Sequence, residues 1–481
     1  MSEISGIVRA EGLTFAERDA LEALLDVYNR TRVRNKSLED YFEGDVMVKD
    51  IGVRIVPPEA DVHVALSCDW ARKAVKALSN LVLFDGFVFE DGDGDEGLDR
   101  VLRDCNFRAA FSRNRIGMFK KGCMFATVNS VGGRANVRFH SADSSAAIMD
   151  VAGERLGSGF VIADTRRTLW SPKKAVPTQV NLHMPGVRVA IHREDVSRWR
   201  AEHVETPLDR PMMVSFVYDP TDTKPLGGTR ITGQVRDLVD DVLRVRLALV
   251  LSTALYAVPM RAILGLSDAM YDALMKSKWG TYLNPLLLAT SNKGQVPQLQ
   301  QLPSNSPEAL IRLIESDAKL FSGSTGVPLN SLGIVQDNPS SAEAIAEARK
   351  DLSDEASSTI EEQLKPSMRE LALLVMAVES NRPIGQLTDE QLSVMAHFVD
   401  PARASQAART DSAMKIASVD EGFAGTDVFY EMVGFDQPTI ARLRSEKRKA
   451  ATDAAITAMF GGGDADTASV GGGVQPQPEQ A

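Results

Sequence analysis

GSTGVPLNSLGIVQDNPSSAEAI, residues 323–345, separates two helical patterns, and its reading decides the fold. It holds three Gly, two Pro, two Asn and four Ser, a polar and pliable composition for a chain otherwise rich in helix. Before it, SPEALIRLIESDAKLFS reads as a helix, with Ser306 as its cap and Pro307 in the first turn, where a missing amide hydrogen costs nothing. After it, Ser340 and Glu343 form a capping box. The helix started there runs to about Ser380, roughly 60 Å by helical rise. Ile345, Ala348, Leu352, Ala356, Ile360, Leu364, Met368, Leu371 and Val375 make its apolar stripe. Pro366 lies inside that stripe. A proline removes a backbone donor and crowds the preceding turn, so a kink is predicted there.

Working outward, residues 225–230, PLGGTR, break an earlier pattern and open another helix, ITGQVRDLVDDVLRVRLALVLSTALYA, about 40 Å long. Ile231, Val235, Leu238, Val242 and Val245 line one face, and the apolar surface broadens towards the end. The run LALVLSTALYAVPMRAILGL, residues 247–266, is as long as a membrane span. Pro259 and Arg261 within it favour a buried or subunit-contacting helix instead. Residues 258–303 carry four prolines and a strand-like LLLAT.

The N-terminal half is mixed. Thr14 and Glu17 form a capping box ahead of LEALLDVYNRTRVR, and SLEDYFEGD reads as a turn. Asp69 is expected to cap WARKAVKALSNLVL, a helix ending near Asp85-Gly86. Residues 98–118 are helical in pattern. Then MFATVNS, ANVRFH, AAIMDV, GFVIADT, QVNLHM, VRVAIH and VSFVYD read as short strands. Residues 381–460 read as short helices, and the Gly-rich tail 461–481 as disordered. The fold class is therefore α+β, mainly helical.

The chain has 481 residues, 44% hydrophobic and 25% charged, enough for two to four globular regions. Its net charge of −11 argues against tight binding to phosphates, though not against a surface that nucleic acid slides past. Cys68, Cys105 and Cys123 match no zinc spacing and read as small buried hydrophobes of a reducing compartment. The N-terminus lacks the basic and apolar regions of a signal peptide.

No catalytic constellation stands out. P-loop, dinucleotide-fold, zincin and nucleophile-elbow patterns are absent. Asp91, Asp93 and Asp95 fail as an EF-hand, because Glu96 stands where Gly belongs and Leu102 where Glu belongs. His63, His140, His183, His192, His203 and His397 lack ligand spacing. Asp240 and Asp241 are neighbours on a helix and point about 100° apart, which suits a solvated face better than acid–base work. Arg442, Arg444, Lys447, Arg448 and Lys449 form a basic cluster, read as a solvated face with nucleic-acid contact as the alternative. No enzyme, cofactor or metal site is expected.

The order of LEDYFEG, DWARKAVKALSNLVLFDGF, PLGGTRITGQVRDLVDDVLR and STGVPLNSLGIVQDNPSSAEAI resembles the portal proteins of tailed bacteriophages over roughly residues 15–450. That resemblance implies a ring, usually of twelve subunits, around a DNA channel. It implies a wing over residues 1–228, a first stem helix at 229–256, a clip at 257–303 and a second stem helix at 304–322. A tunnel loop at 323–340, a kinked wing helix at 341–380 and a crown at 381–460 complete the scheme. Leu329, Asn330, Ser331, Gln336, Asp337 and Asn338 would line the channel, with Gly323, Gly326 and Gly333 as loop hinges. The loop has no Lys or Arg, and twelve copies of −11 give about −130, a charge that would discourage DNA from sticking. Implied partners are terminase on the clip, later head-completion or adaptor proteins, major capsid and scaffolding proteins, and double-stranded DNA passing without sequence specificity. The implied location is the portal vertex of the virion, and the host cytoplasm during assembly, with no membrane. Two alternatives stand beside this reading. One is a soluble enzyme with a site near Arg166, Arg167 and Trp170; the other is a non-portal helical scaffold.

Overall fold

The computed structural model describes residues 4–46, 66–90, 95–150, 155–168, 171–195, 198–256, 261–269, 272, 286–290, 298–301, 307–334, 349–402, 406–420 and 422–460. The chain divides into two compact units, residues 1–402 and 403–481.

In the first unit, helix α1 (Phe15–Glu43) opens with the expected capping box. Thr14 accepts from the Glu17 amide, and the Glu17 carboxylate accepts from the Thr14 amide. It runs through SLEDYFE rather than turning there, because Leu38, Tyr41 and Phe42 continue its buried face. It stops at Gly44 in the left-handed region. Helix α2 (Trp70–Ser79) is shorter than its apolar pattern promised. Asp69 precedes it without a side-chain cap, and LFDGFV becomes strand β1 (Leu83–Val88). Helices α3 (Glu96–Asp104) and α4 (Phe107–Lys121) divide the predicted 98–118 helix, with Asn106 between them at φ +46°.

Eight strands follow: β2 (Cys123–Val131), β3 (Arg134–Ser141), β4 (Ser145–Met149), β5 (Leu156–Thr168), β6 (Ser171–Met184), β7 (Val187–Arg193), β8 (Trp199–Glu205) and β9 (Met213–Val217). All seven expected strands are among them. β8, with mostly exposed side chains, had no apolar alternation to announce it. The strands form a three-stranded sheet, β3-β2-β9, and a five-stranded antiparallel sheet, β4-β5-β6-β7-β8.

Helix α5 (Gly233–Tyr256) is succeeded by β10 (Arg261–Leu266), β11 (Leu286–Thr290) and β12 (Gln298–Gln301), a small sheet in the order β11-β10-β12. The 247–266 run is thus split between helix and strand, and among the described residues no helix is long and apolar enough to cross a membrane. Helix α6 (Glu308–Thr325) packs against α5. Helices α7 (Lys350–Thr359) and α8 (Lys365–Ser380) are joined by a π-helical segment, Ile360–Leu364. The stretch from 381 was expected to be helical throughout. It instead contains β13 (Met395–Val399) after a short α9 (Asp389–Leu392), and β13 pairs antiparallel with β1 inside the first unit.

The main core joins α2, α4, the first half of α5, the end of α6, α7, α8 and the β3-β2-β9 sheet. Phe84, Phe107, Phe111, Phe139, Phe216 and Phe398 pack there ring to ring. A second core lies between α1 and the five-stranded sheet, and a third between the two sheets. The second unit is helical: α10 (Gln406–Ala417), α11 (Asp427–Val433) and α12 (Gln437–Phe460).

Candidate functional site: the stem junction and the loop after it

Two glycines set the approach to α5. Gly227 has φ +83°, and a Cβ there would stand 2.3 Å from the Tyr218 carbonyl oxygen and 2.7 Å from that of Gly122. Only glycine lets the three backbones meet so closely. The amide of Gly228 then donates to the Tyr218 carbonyl at 2.9 Å, and the amide of Arg230 to the Phe119 carbonyl at 2.9 Å.

Held this way, the Arg230 side chain points inward and is almost wholly buried. Its Nε donates to the Ala74 carbonyl of α2 at 2.9 Å. One terminal nitrogen meets the Glu355 carboxylate of α7 and, at 3.4 Å, the Tyr218 hydroxyl, while the other donates to the Thr325 carbonyl at the end of α6. Tyr218 in turn donates to Glu355 at 2.5 Å. Burial drives the Tyr218 phenol well above its ordinary range, the neighbouring Glu355 adds to this, and Arg230 opposes it. One guanidinium therefore links four segments, using the planar, many-donor geometry that lysine lacks. Because it lies just before α5 and binds the last turn of α6, the two helices run antiparallel from a shared base.

Further along α5, Asp240 is buried and accepts from the Tyr41 hydroxyl at 3.0 Å, whereas Asp241 is exposed and pairs with Arg244. The two carboxylates do diverge, and one of them serves the core. Away from the junction the pair leaves apolar side chains uncovered among charged ones: Val250 is 41% exposed, Ile311 44% and Leu313 46%.

The loop after α6 begins later than its glycines implied. Gly323 is still helical, and Gly326 ends the helix at φ +65°. A 3₁₀ turn, Leu329–Leu332, follows and closes at Gly333, φ +86°. Val327 is buried, while Leu329, Leu332 and Ile334 lean on the main core. Asn330 and Ser331 are exposed, and the Lys73 ammonium donates to the Ser331 carbonyl. This half of the loop is fastened down, with a cation from α2 reaching it that the loop's own sequence does not contain. Gln336, Asp337, Asn338, the Ser340–Glu343 box, Ile345 and Ala348 lie outside the described residues. Pro366 stands at the second position of α8, directly after the π segment, where the Lys365 amide donates back five residues to Ile360.

The other sequence candidates are scattered. Asp95 caps α3 by accepting from the Leu98 amide at 2.7 Å; Asp91 and Asp93 lie outside the described residues. Arg166 is exposed on β5, and the Arg167 side chain and Trp170 are not described. His203 contacts Glu17 at 2.9 Å, and His397 meets Asp85 at 3.3 Å. His140 shares a 2.9 Å hydrogen bond with Thr127, while both ring nitrogens of buried His183 lack partners. Burial, with nearby Arg138, lowers His140 to about 4; burial, with Arg188 and His140, lowers His183 to about 3. Both rings are neutral structural groups at pH 7. Among the described residues no cluster suits a metal. In the second unit, Arg444 pairs with Asp427, Arg442 with Glu446, and Lys447 donates to the Tyr430 hydroxyl at 2.6 Å. Three of the five cluster cations are thus already engaged.

Sequence reasoning missed Arg230. Its signal was present: an arginine two residues after a Gly-Gly turn and directly before an apolar residue that begins the buried face continued by α5.

No family model matches the chain, and no curated protein does. Among solved structures, the neck of a native gene transfer agent (GTA) particle computed with C12 symmetry aligns at 13% identity and TM-score 0.39, covering 76% of this chain and 89% of that one. The neck of an empty GTA particle computed with C6 symmetry aligns at 14% identity and TM-score 0.39, covering 73% and 87%. The virion of a native GTA particle aligns at 13% and 0.39, covering 83% and 93%. A TM-score of 0.39 is too low to carry shape or function over to this chain.

Proposed function

We propose that this protein is a portal subunit: copies close into a ring, close to twelvefold, whose hollow axis passes double-stranded DNA at one vertex of a phage capsid. The observation that carries the reading is the α5–α6 pair. It is antiparallel, locked at its base by Arg230, and apolar and uncovered on flanks that a single chain leaves to water. In this reading those exposed side chains are contacts that two adjacent subunits of a ring would cover. The exposed Asn330 and Ser331, at the end of the pair, would offer DNA polar side chains beside the Lys73 ammonium. In this reading α5 and α6 are the stem, the β10–β12 sheet between them is the clip that docks terminase and then head-completion proteins, and the crown is the 403–460 part of the expected 381–460, since β13 pairs with β1 in the first unit. Capsid and scaffolding proteins would meet the wing. No catalytic step is assigned to the chain.

The test is the mass and image of the purified full-length protein. Closed rings near twelve subunits, with a central hole wide enough for a DNA duplex, are the expected outcome. A protein that stays monomeric under every assembly condition, or is missing from a unique vertex of the virion, overturns the proposal.

A further inference from the structure

A cleft of about 200 Å³ opens beside α1, where β2, β4 and residues Lys224–Gly227 converge. It is smaller than the roughly 300–1,000 Å³ of ordinary ligand pockets, so it holds one residue rather than a cofactor. Its floor is apolar and deeply buried, with Phe125 1% and Ala146 4% exposed. Its rim is cationic: Arg34 and Lys224 are both exposed, and Lys121 lies beneath them, bonded to Glu39 and Asp143. No Asp or Glu lines it, in a chain of net charge −11. The Ser145 hydroxyl, buried in the wall, has no hydrogen-bond partner. The buried Cys123 thiol is pushed up to about 12, so it stays neutral and is no nucleophile.

We propose that this cleft captures the C-terminal carboxylate of another polypeptide, with the last residue's apolar side chain on the Phe125–Ala146 floor and its carboxylate between Arg34 and Lys224. A C-terminal residue carries an anion and an apolar side chain on the same Cα, which matches a cationic rim over an apolar floor. Inorganic phosphate has nothing to fill the floor. An Asp or Glu side chain would place only methylenes there. Capture of a chain end by a small dedicated site is an established mode of peptide recognition. The proposal does not depend on the portal reading.

The test is fluorescence polarisation of full-length protein with N-terminally labelled Ser-Gly-Glu-Ala-Leu, as free acid and as C-terminal amide. The free acid is expected to bind at least about tenfold more tightly than the amide, consistent with a charge-assisted contact. Arg34→Met with Lys224→Met, both exposed positions, should remove that preference. Thr31→Phe, which narrows the cleft without altering charge, should weaken both forms. Circular dichroism confirms that each variant is folded. The proposal is overturned if the wild type does not bind the free acid, if acid and amide bind equally, or if either variant binds as the wild type does. It is equally overturned if 4-methylpentanoate competes as strongly as the peptide, which would make a free small acid the ligand.

Discussion

The two ends of the α5–α6 pair are built on opposite principles. At the base, each of the three guanidinium nitrogens of Arg230 meets an acceptor from another segment. Towards Val250 and Ile311, the same two helices present apolar side chains to water. Buried polar groups must be satisfied within the chain, because an unmatched donor or charge costs more than a matched one returns. Exposed apolar groups can wait for a neighbour at little cost. The base therefore belongs to folding and the far end, on the proposed reading, to assembly.

That contrast can be broken most forcefully at Arg230. Arg230→Met removes the cation, leaves the Glu355 carboxylate with only the Tyr218 hydroxyl, and takes the guanidinium from the Thr325 carbonyl. Loss of one partner of a buried pair costs up to about 5 kcal/mol; with Glu355 still 33% exposed, roughly 3 kcal/mol is expected. Urea unfolding of the monomer measures it. Arg230→Lys should recover less than half, since one ammonium cannot reach four segments. Full recovery by lysine would mean that charge alone, not the fork, holds the base.

The body of the fold can be loosened without touching either end. His183 and His140 are held near 3 and 4, below the 6.5 of an unfolded histidine. The unfolded chain takes up protons that the fold refuses, so stability is full above about pH 6.5 and falls as the pH drops towards 4. Each ring should remove about 1 kcal/mol between pH 6.5 and 5.5. Unfolding midpoints followed over that range should fall less steeply in His183→Leu, and an unchanged slope in the variant would count against this account.

The smallest effect on folding is expected at the far end. Ile311→Asp replaces a side chain already 44% exposed, so monomer stability should stay within about 0.5 kcal/mol. The same substitution should sharply lower the ring fraction seen by native mass measurement. A variant that destabilises the monomer yet assembles normally would reverse the assignment of the two ends.

Much of this was legible in the sequence because periodicity reports on one-sided burial. The α5 face Ile231, Val235, Leu238, Val242 and Val245 is buried throughout, and the seven expected strands are all present. The misses share a cause. LVLF, residues 81–84, is a short unbroken apolar run, so it suits a helix or a strand until a partner is known. That partner, Met395–Val399, lies some 300 residues away. SLEDYFEG is dense in charge and looks like a turn, but three of its residues still face the core. Gly323 was taken for loop by composition, yet a helix on its way to a Gly326 cap tolerates it. The junction was hardest to foresee, because an arginine's default place is the surface and only the folded chain gathers its four acceptors.

The π segment explains the unusual spacing of the stripe on α7 and α8. From Leu352 to Leu364 the buried positions recur every four residues, and in an unbroken α-helix those steps would carry the last one about 120° around the axis from the first. One surplus residue, taken up by the wide turn at Ile360–Leu364, returns about 100° of that drift. In mechanical terms the segment behaves as a helix with one residue too many, the excess taken up in a single wide turn. Deleting one residue there should therefore leave both flanking faces seated, whereas deleting one from α8 would rotate everything after it out of the core.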